Sequence, residues 1–229
     1  MLTQFEVLAK IKEQGVLPMY STPSDAVSVK VLHALYNAGM RVIEYTNRLP
    51  ESLNNFKKLK EERDANLKDM LLGVGTIKTV DDAHNYIAAG ADFIICPGML
   101  PEVGKIVVEA GLLWSPGCMT VSEITVAEQT GSKLIKLFPG NLLGPSYIGA
   151  IKEIFPGLAF MPTGGVELER DNIATWFKAG ACAVGMGSKL VSKPLMEAEK
   201  YDTIEERAKL ALNIVINYRK PEAEKQQVE

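Results

Sequence analysis

Lys136 stands inside Leu134-Ile135-Lys136-Leu137-Phe138-Pro139, an apolar run that otherwise reads as a buried strand. Taking a lone ammonium out of water is costly unless it is paired or gives up its proton. A lysine neutralised in such a place is a nucleophile able to attack a ketone and form an imine. Its structural use would be an ion pair with a carboxylate, or escape of the head at the strand end. Glu44 interrupts a second apolar run, Val42-Ile43-Glu44-Tyr45. Desolvation raises the pKa of such a carboxyl and a nearby cation lowers it, which suits a general acid/base; a stabilising pair with Arg48 or Lys136 is the structural alternative. Glu44, Thr46 and Arg48 have one parity, so they project to one side if the strand stays extended. Arg48 could clamp a carboxylate with its planar fork, or be a solvated surface charge.

These residues need elements to position them. The chain alternates β-rich runs with helix-length segments. The strands are expected at Val16–Tyr20, Val42–Thr46, Met70–Gly75, Phe93–Cys96, Leu112–Ser115, Leu134–Phe138, Ala159–Pro162 and Ala181–Val184. Helices are expected at Asp25–Ala38, Pro50–Glu62, Val80–Ala89, Ser122–Gln129, Tyr147–Ile154 and Arg170–Lys178. Four segments end in Ala-Gly, at Gly39, Gly90, Gly111 and Gly180, as expected of left-handed C-caps. Eight such units predict a (β/α)8 TIM barrel with an extra N-terminal helix at Thr3–Gln14, in preference to an open doubly wound sheet. A last amphipathic helix, about Thr203–Tyr218, is expected over the barrel end, with a frayed tail from about residue 220. No composition break divides residues 1–229, so one domain is expected.

In such barrels the chemistry gathers where strands end. Here those ends read Gly73-Val74-Gly75-Thr76, Cys96-Pro97-Gly98, Ser115-Pro116-Gly117, Pro162-Thr163-Gly164-Gly165 and Gly185-Met186-Gly187-Ser188. Glycine-rich loops after strands seven and eight form the recurring phosphate site of the fold, with Thr163 and Ser188 as possible hydroxyl donors; tight turning alone is the alternative. Asp25, Asp81 and Asp82 read as helix first-turn residues, Trp114 and Trp176 as packing, and Lys133 as facing away from Lys136.

Bulk properties exclude several classes. A formal charge of -3 with 47% hydrophobic and 23% charged residues gives no nucleic-acid surface. No apolar stretch approaches the roughly 18 residues of a membrane span, and the start lacks a signal-peptide pattern. Cys96, Cys118 and Cys182 are odd in number and widely spaced, so a reducing, cytoplasmic setting is expected. His33 and His84 are the sole histidines and form no ligand pair, so no metal is expected.

Taken in order, Glu44-Tyr45-Thr46-Asn47-Arg48, Gly73-Val74-Gly75-Thr76, Ser115-Pro116-Gly117, Ile135-Lys136-Leu137-Phe138-Pro139, Pro162-Thr163-Gly164-Gly165 and Gly185-Met186-Gly187-Ser188 resemble the 2-keto-3-deoxy-6-phosphogluconate (KDPG) aldolase family. That family includes 4-hydroxy-2-oxoglutarate (KHG) and phosphogalactonate aldolases, and the match runs over about residues 5 to 215. The resemblance implies a class I, cofactor-free and metal-free aldolase for a phosphorylated keto acid, usually a homotrimer. It implies Lys136 as the imine-forming lysine, Glu44 as the acid/base and Arg48 as the carboxylate ligand. It further implies Thr76 and Thr163 beside the pyruvyl part, and Gly164, Gly165, Gly187 and Ser188 around the phosphate. Departures at Thr46-Asn47-Arg48-Leu49, Pro139-Gly140-Asn141 and Lys189 bear on the distal part of the substrate. A non-catalytic phosphosugar-binding barrel and a phosphosugar isomerase or epimerase are the alternatives from other classes.

Overall fold

Helix α1 (Gln4–Gln14) opens the computed structural model, which describes residues 2–220. Thr3 caps it reciprocally with Glu6. The frayed tail expected from about residue 220 lies outside the described residues beyond Lys220. The strands are β1 (Val16–Tyr20), β2 (Val42–Thr46), β3 (Leu71–Gly75), β4 (Phe93–Ile95), β5 (Leu113–Ser115), β6 (Gly117–Cys118), β7 (Leu134–Leu137), β8 (Ala159–Pro162) and β9 (Val184–Met186). All pair in parallel, in the orders β5-β4-β3-β2-β1-β9 and β6-β7-β8. A bridge between Thr163 and Gly185 joins β8 to β9. On the other side Pro116, which has no N–H, separates β5 from β6, and its carbonyl accepts from Lys136 N at 2.9 Å. The two sheets thus close into the expected (β/α)8 barrel, one unit having its strand in two pieces.

The helices of the ring are α2 (Asp25–Asn37), α3 (Ser52–Asn66), α4 (Val80–Ala88), α5 (Pro101–Glu109), α6 (Val121–Gln129), the short α7 (Gly140–Leu143), α8 (Pro145–Ile151), α9 (Arg170–Ala179), α10 (Lys193–Glu197) and α11 (Tyr201–Arg219). Two expectations need correction. The last strand begins at Val184 rather than Ala181, because Ala181 N is still bonded to Trp176 O in the exit from α9, and strand pairing with β1 starts as Val184 N meets Gly15 O. And α11 does not lie over the barrel end: it packs in the outer ring against α2 and α9. It is α1 that plugs the barrel, placing Val7, Leu8 and Ile11 against Leu17, Val42, Leu71, Phe93, Leu113 and Leu134 in the interior core.

Strand alternation places interior residues in layers. The lower layer is aliphatic apart from Phe93. The layer above it carries the polar exceptions, Glu44, Ser115 and Lys136. The outward residue Tyr45 fixes the orientation of β2. Its hydroxyl donates to Thr22 O at 3.0 Å and accepts from Asn55 Nδ2 at 3.2 Å, in the layer between strands and helices. With Tyr45 held outside, Glu44 must face in.

Candidate active site

Lys136 and Glu44, apart by 92 positions in sequence order, meet inside the barrel with Nζ 4.0 Å from Oε1. They are 5% and 0% exposed. Neither Glu44 oxygen has a hydrogen-bond partner, so the carboxylate is held by position and charge alone. Burial raises its pKa, and the Lys136 and Arg48 cations oppose that rise without cancelling it. The carboxylate fits because the neighbouring strand has glycine where a side chain would intrude: a Cβ on Gly75 would overlap the Glu44 carboxylate. Gly73, one interior position lower, makes the same room for the Phe93 ring.

Above the pair lies a cleft of about 410 Å³ at the strand C-terminal ends. Arg48, Thr163, Gly164, Gly165, Gly187 and Ser188 all line it. Phe138, a further lining residue, connects the two levels, since Lys136 Nζ lies 5.4 Å from its ring centroid. Thr163 Oγ1 is buried without a partner. Gly164 and Gly165 have φ 88 and 73, and a Cβ on Gly165 would come within 2.7 Å of Asn141 Cβ. Only glycine therefore lets this loop run close under α7. Among the described residues, the Gly165 and Ser188 N–H groups donate to no backbone carbonyl, which leaves them for an anion.

Arg48 does not extend the strand parity as expected. The strand stops at Thr46, Arg48 N turns back to Thr46 O at 3.0 Å, and the side chain is exposed at the mouth. Thr76 follows β3 with φ 62, a left-handed conformation that is costly for a β-branched residue. It is half-buried at the rim, outside the set that lines the cleft. Sequence reasoning misses Ser115, at the end of β5, whose Oγ is buried and unpartnered. The visible signal was a serine at an inward position of an apolar strand. A larger hollow, about 660 Å³ between α1, α2 and α11, lies at the opposite end of the barrel and contains none of these residues. Among the described residues, no cluster of three or more His, Cys, Asp or Glu could hold a metal ion.

A parallel barrel with an ionisable pair buried at its C-terminal end, below a glycine-lined cleft, has the layout of a barrel enzyme. The family model for KDPG and KHG aldolase matches residues 7–207, and the chain belongs to that family. Family membership places it among the aldolases, which are carbon–carbon lyases. A 2-dehydro-3-deoxy-phosphogluconate aldolase of Treponema pallidum is 29% identical over 216 residues, which cover 94% of this chain and 99% of the relative. A 2-dehydro-3-deoxy-6-phosphogalactonate aldolase of Escherichia coli is 31% identical over 170 residues, 74% of this chain and 80% of the relative. The KDPG aldolase of Legionella pneumophila, solved with pyruvate captured at low pH as a covalent carbinolamine intermediate, superposes with a TM-score of 0.81 at 26% identity, covering 89% of this chain and 97% of that one.

Proposed function

We propose that this chain is a class I aldolase that cleaves 2-keto-3-deoxy-6-phosphogluconate to pyruvate and glyceraldehyde 3-phosphate through an imine on Lys136. The observation that carries this reading is the buried Lys136–Glu44 pair, 4.0 Å apart, whose carboxylate has no hydrogen-bond partner. Lys136 Nζ attacks the C2 ketone to give a carbinolamine, and Glu44 helps to expel its hydroxyl as water. The resulting iminium is the electron sink. Glu44 takes the proton of the C4 hydroxyl, the C3–C4 bond breaks toward C3, and the aldehyde leaves an enamine on Lys136. Protonation at C3 and hydrolysis release pyruvate and restore the lysine. The imine is needed because a free carbanion at C3 is too unstable, and it supplies the stabilisation that a metal would otherwise give.

In this reading Arg48 binds the C1 carboxylate, Thr76 and Thr163 flank the pyruvyl part, and Gly164, Gly165, Gly187 and Ser188 receive the phosphate. The lining of the cleft supports all of these except Thr76, for which the resemblance is the support. The relative named as a phosphogalactonate aldolase favours a second reading, cleavage of the galactonate epimer by the same chemistry. Cleavage of 4-hydroxy-2-oxoglutarate to pyruvate and glyoxylate is the unphosphorylated alternative. The site is assigned to one barrel domain in a cytoplasmic homotrimer.

The test is borohydride reduction with pyruvate present, followed by peptide mass analysis. A pyruvyl adduct on Lys136 is expected, with none in Lys136→Ala and turnover abolished in that variant. A folded protein that traps no pyruvate would be a phosphate-binding barrel without imine chemistry.

A further inference from the structure

The cleft carries more charge than its glycine loops require. Lys189 stands on the loop after β9 and Glu167 on the loop after β8, and both line the cleft. They reach across its mouth to each other, Nζ to Oε2 2.7 Å. Their side chains stay 52% and 41% exposed, and a pair so open to water contributes little to folding. It can therefore exchange partners at small cost. Lys193, which also lines the cleft, has only a 3.6 Å contact with Glu197 on its own helix.

We propose that Lys189 is a specificity-determining residue for the distal end of the substrate, an inference that rests on the aldolase reading above. Lys189 leaves Glu167 and takes an oxygen of the phosphoryl group of a six-carbon keto acid. A phosphate monoester carries more than one negative charge near neutral pH and outcompetes a single carboxylate for an ammonium. Lysine suits this exchange, because a flexible point charge needs no fixed bidentate geometry. Glu167 keeps the ammonium at the mouth between turnovers and raises the threshold for weaker anions. The discrimination follows from reach. 4-Hydroxy-2-oxoglutarate ends in a carboxylate at C5, whereas the phosphorus of the six-carbon substrate lies beyond C6 and an ester oxygen. A lysine at the rim meets the longer chain and not the shorter.

Lys189→Met, which removes the charge but keeps the apolar stem, and Glu167→Gln are compared with the parent chain. Each is assayed on the phosphorylated substrate and on 4-hydroxy-2-oxoglutarate, with inorganic phosphate as a titrated ligand. In Lys189→Met the ratio of kcat/KM for phosphorylated over unphosphorylated substrate should fall by about tenfold or more, mostly through KM, with a comparable loss of phosphate affinity. Glu167→Gln should bind phosphate as tightly as the parent chain or more tightly. An unchanged ratio and phosphate affinity in Lys189→Met would overturn the proposal. So would a loss in Glu167→Gln equal to that in Lys189→Met, since the pair would then act as a structural unit. If the parent chain traps no pyruvate, the aldolase reading fails, and the phosphate titration alone still decides the role of Lys189.

Discussion

Glu44 is the residue with the strongest conflict between its chemistry and its surroundings. Its carboxyl pKa is raised from 4.5 by burial, against the pull of Lys136 and then Arg48. A carboxyl more easily protonated in the folded than in the unfolded chain stabilises the fold fully below its unfolded pKa. That contribution is lost as pH rises through the folded-state value, and at neutral pH the ionised group is a net cost. Glu44→Gln does not titrate. The difference in stability, variant minus parent, should therefore grow as pH is raised from about 4 toward 7. Thermal melts across that range at fixed salt measure it, and a difference that shrinks with pH would mean that the pairing with Lys136 outweighs desolvation. The same variant should lose about 10²–10⁴-fold in kcat if Glu44 is the acid/base. Lys136 and Glu44 were legible in sequence because a charge in an apolar run contradicts its context. Ser115 carries the same kind of signal in weaker form, a hydroxyl costing less to bury than a charge. Glu167 gave no signal at all, since its place at the cleft depends on how the loop after β8 folds.

At the scale of the element, β3 shows how neighbouring strands divide the interior. Its inward positions are Leu71, Gly73 and Gly75, and in register they lie beside Val42, Glu44 and Thr46 of β2. Both glycines exist for a neighbour, Gly73 for Phe93 below and Gly75 for Glu44 above. Adding one methyl group at each should separate folding from catalysis. Gly73→Ala should cost about 1–3 kcal/mol of stability by overpacking the lower core, with the catalytic pair left in place. Gly75→Ala pushes directly on the carboxylate and should lower kcat by at least about tenfold at a similar or smaller cost in Tm. Denaturant melts and steady-state kinetics on the two variants check the split; equal kinetic losses would mean that the strand moves as a whole. Element order was legible, because short apolar runs, buried on both faces, alternate with helix-length segments, and the four Ala-Gly stops take positive φ as expected. What sequence could not give were the interruption at Pro116, where a proline reads alike as an end or a break, and the start of β9. Ala181 looks like a strand residue but completes the exit from α9, while Cys182 N already donates to Phe160 O of β8.

For the whole molecule, the strand C-terminal ends carry exposed apolar side chains beside the cleft. The loops leaving β6 and β7 run side by side, since Phe138 N donates to Cys118 O. They expose Met119, Phe138 and Leu142, the last 67% open. Val121, at the start of α6, is exposed beside them. In the proposed homotrimer, large apolar side chains grouped at a strand end are the surface that another copy would cover. In such a ring each chain would present this surface to a different patch of the next, so a charge placed in it would be buried three times over. The parent chain is expected to elute with three times the chain mass by light scattering. Met119→Glu with Leu142→Glu should shift it toward the monomer while the far-UV spectrum and the proposed Lys136–pyruvate adduct persist, because Lys136 and Glu44 lie within one barrel. A parent chain that runs as a monomer at assay concentration would remove the trimer from the proposal and leave the lysine chemistry standing, since the 4.0 Å approach of Lys136 to Glu44 needs no second copy.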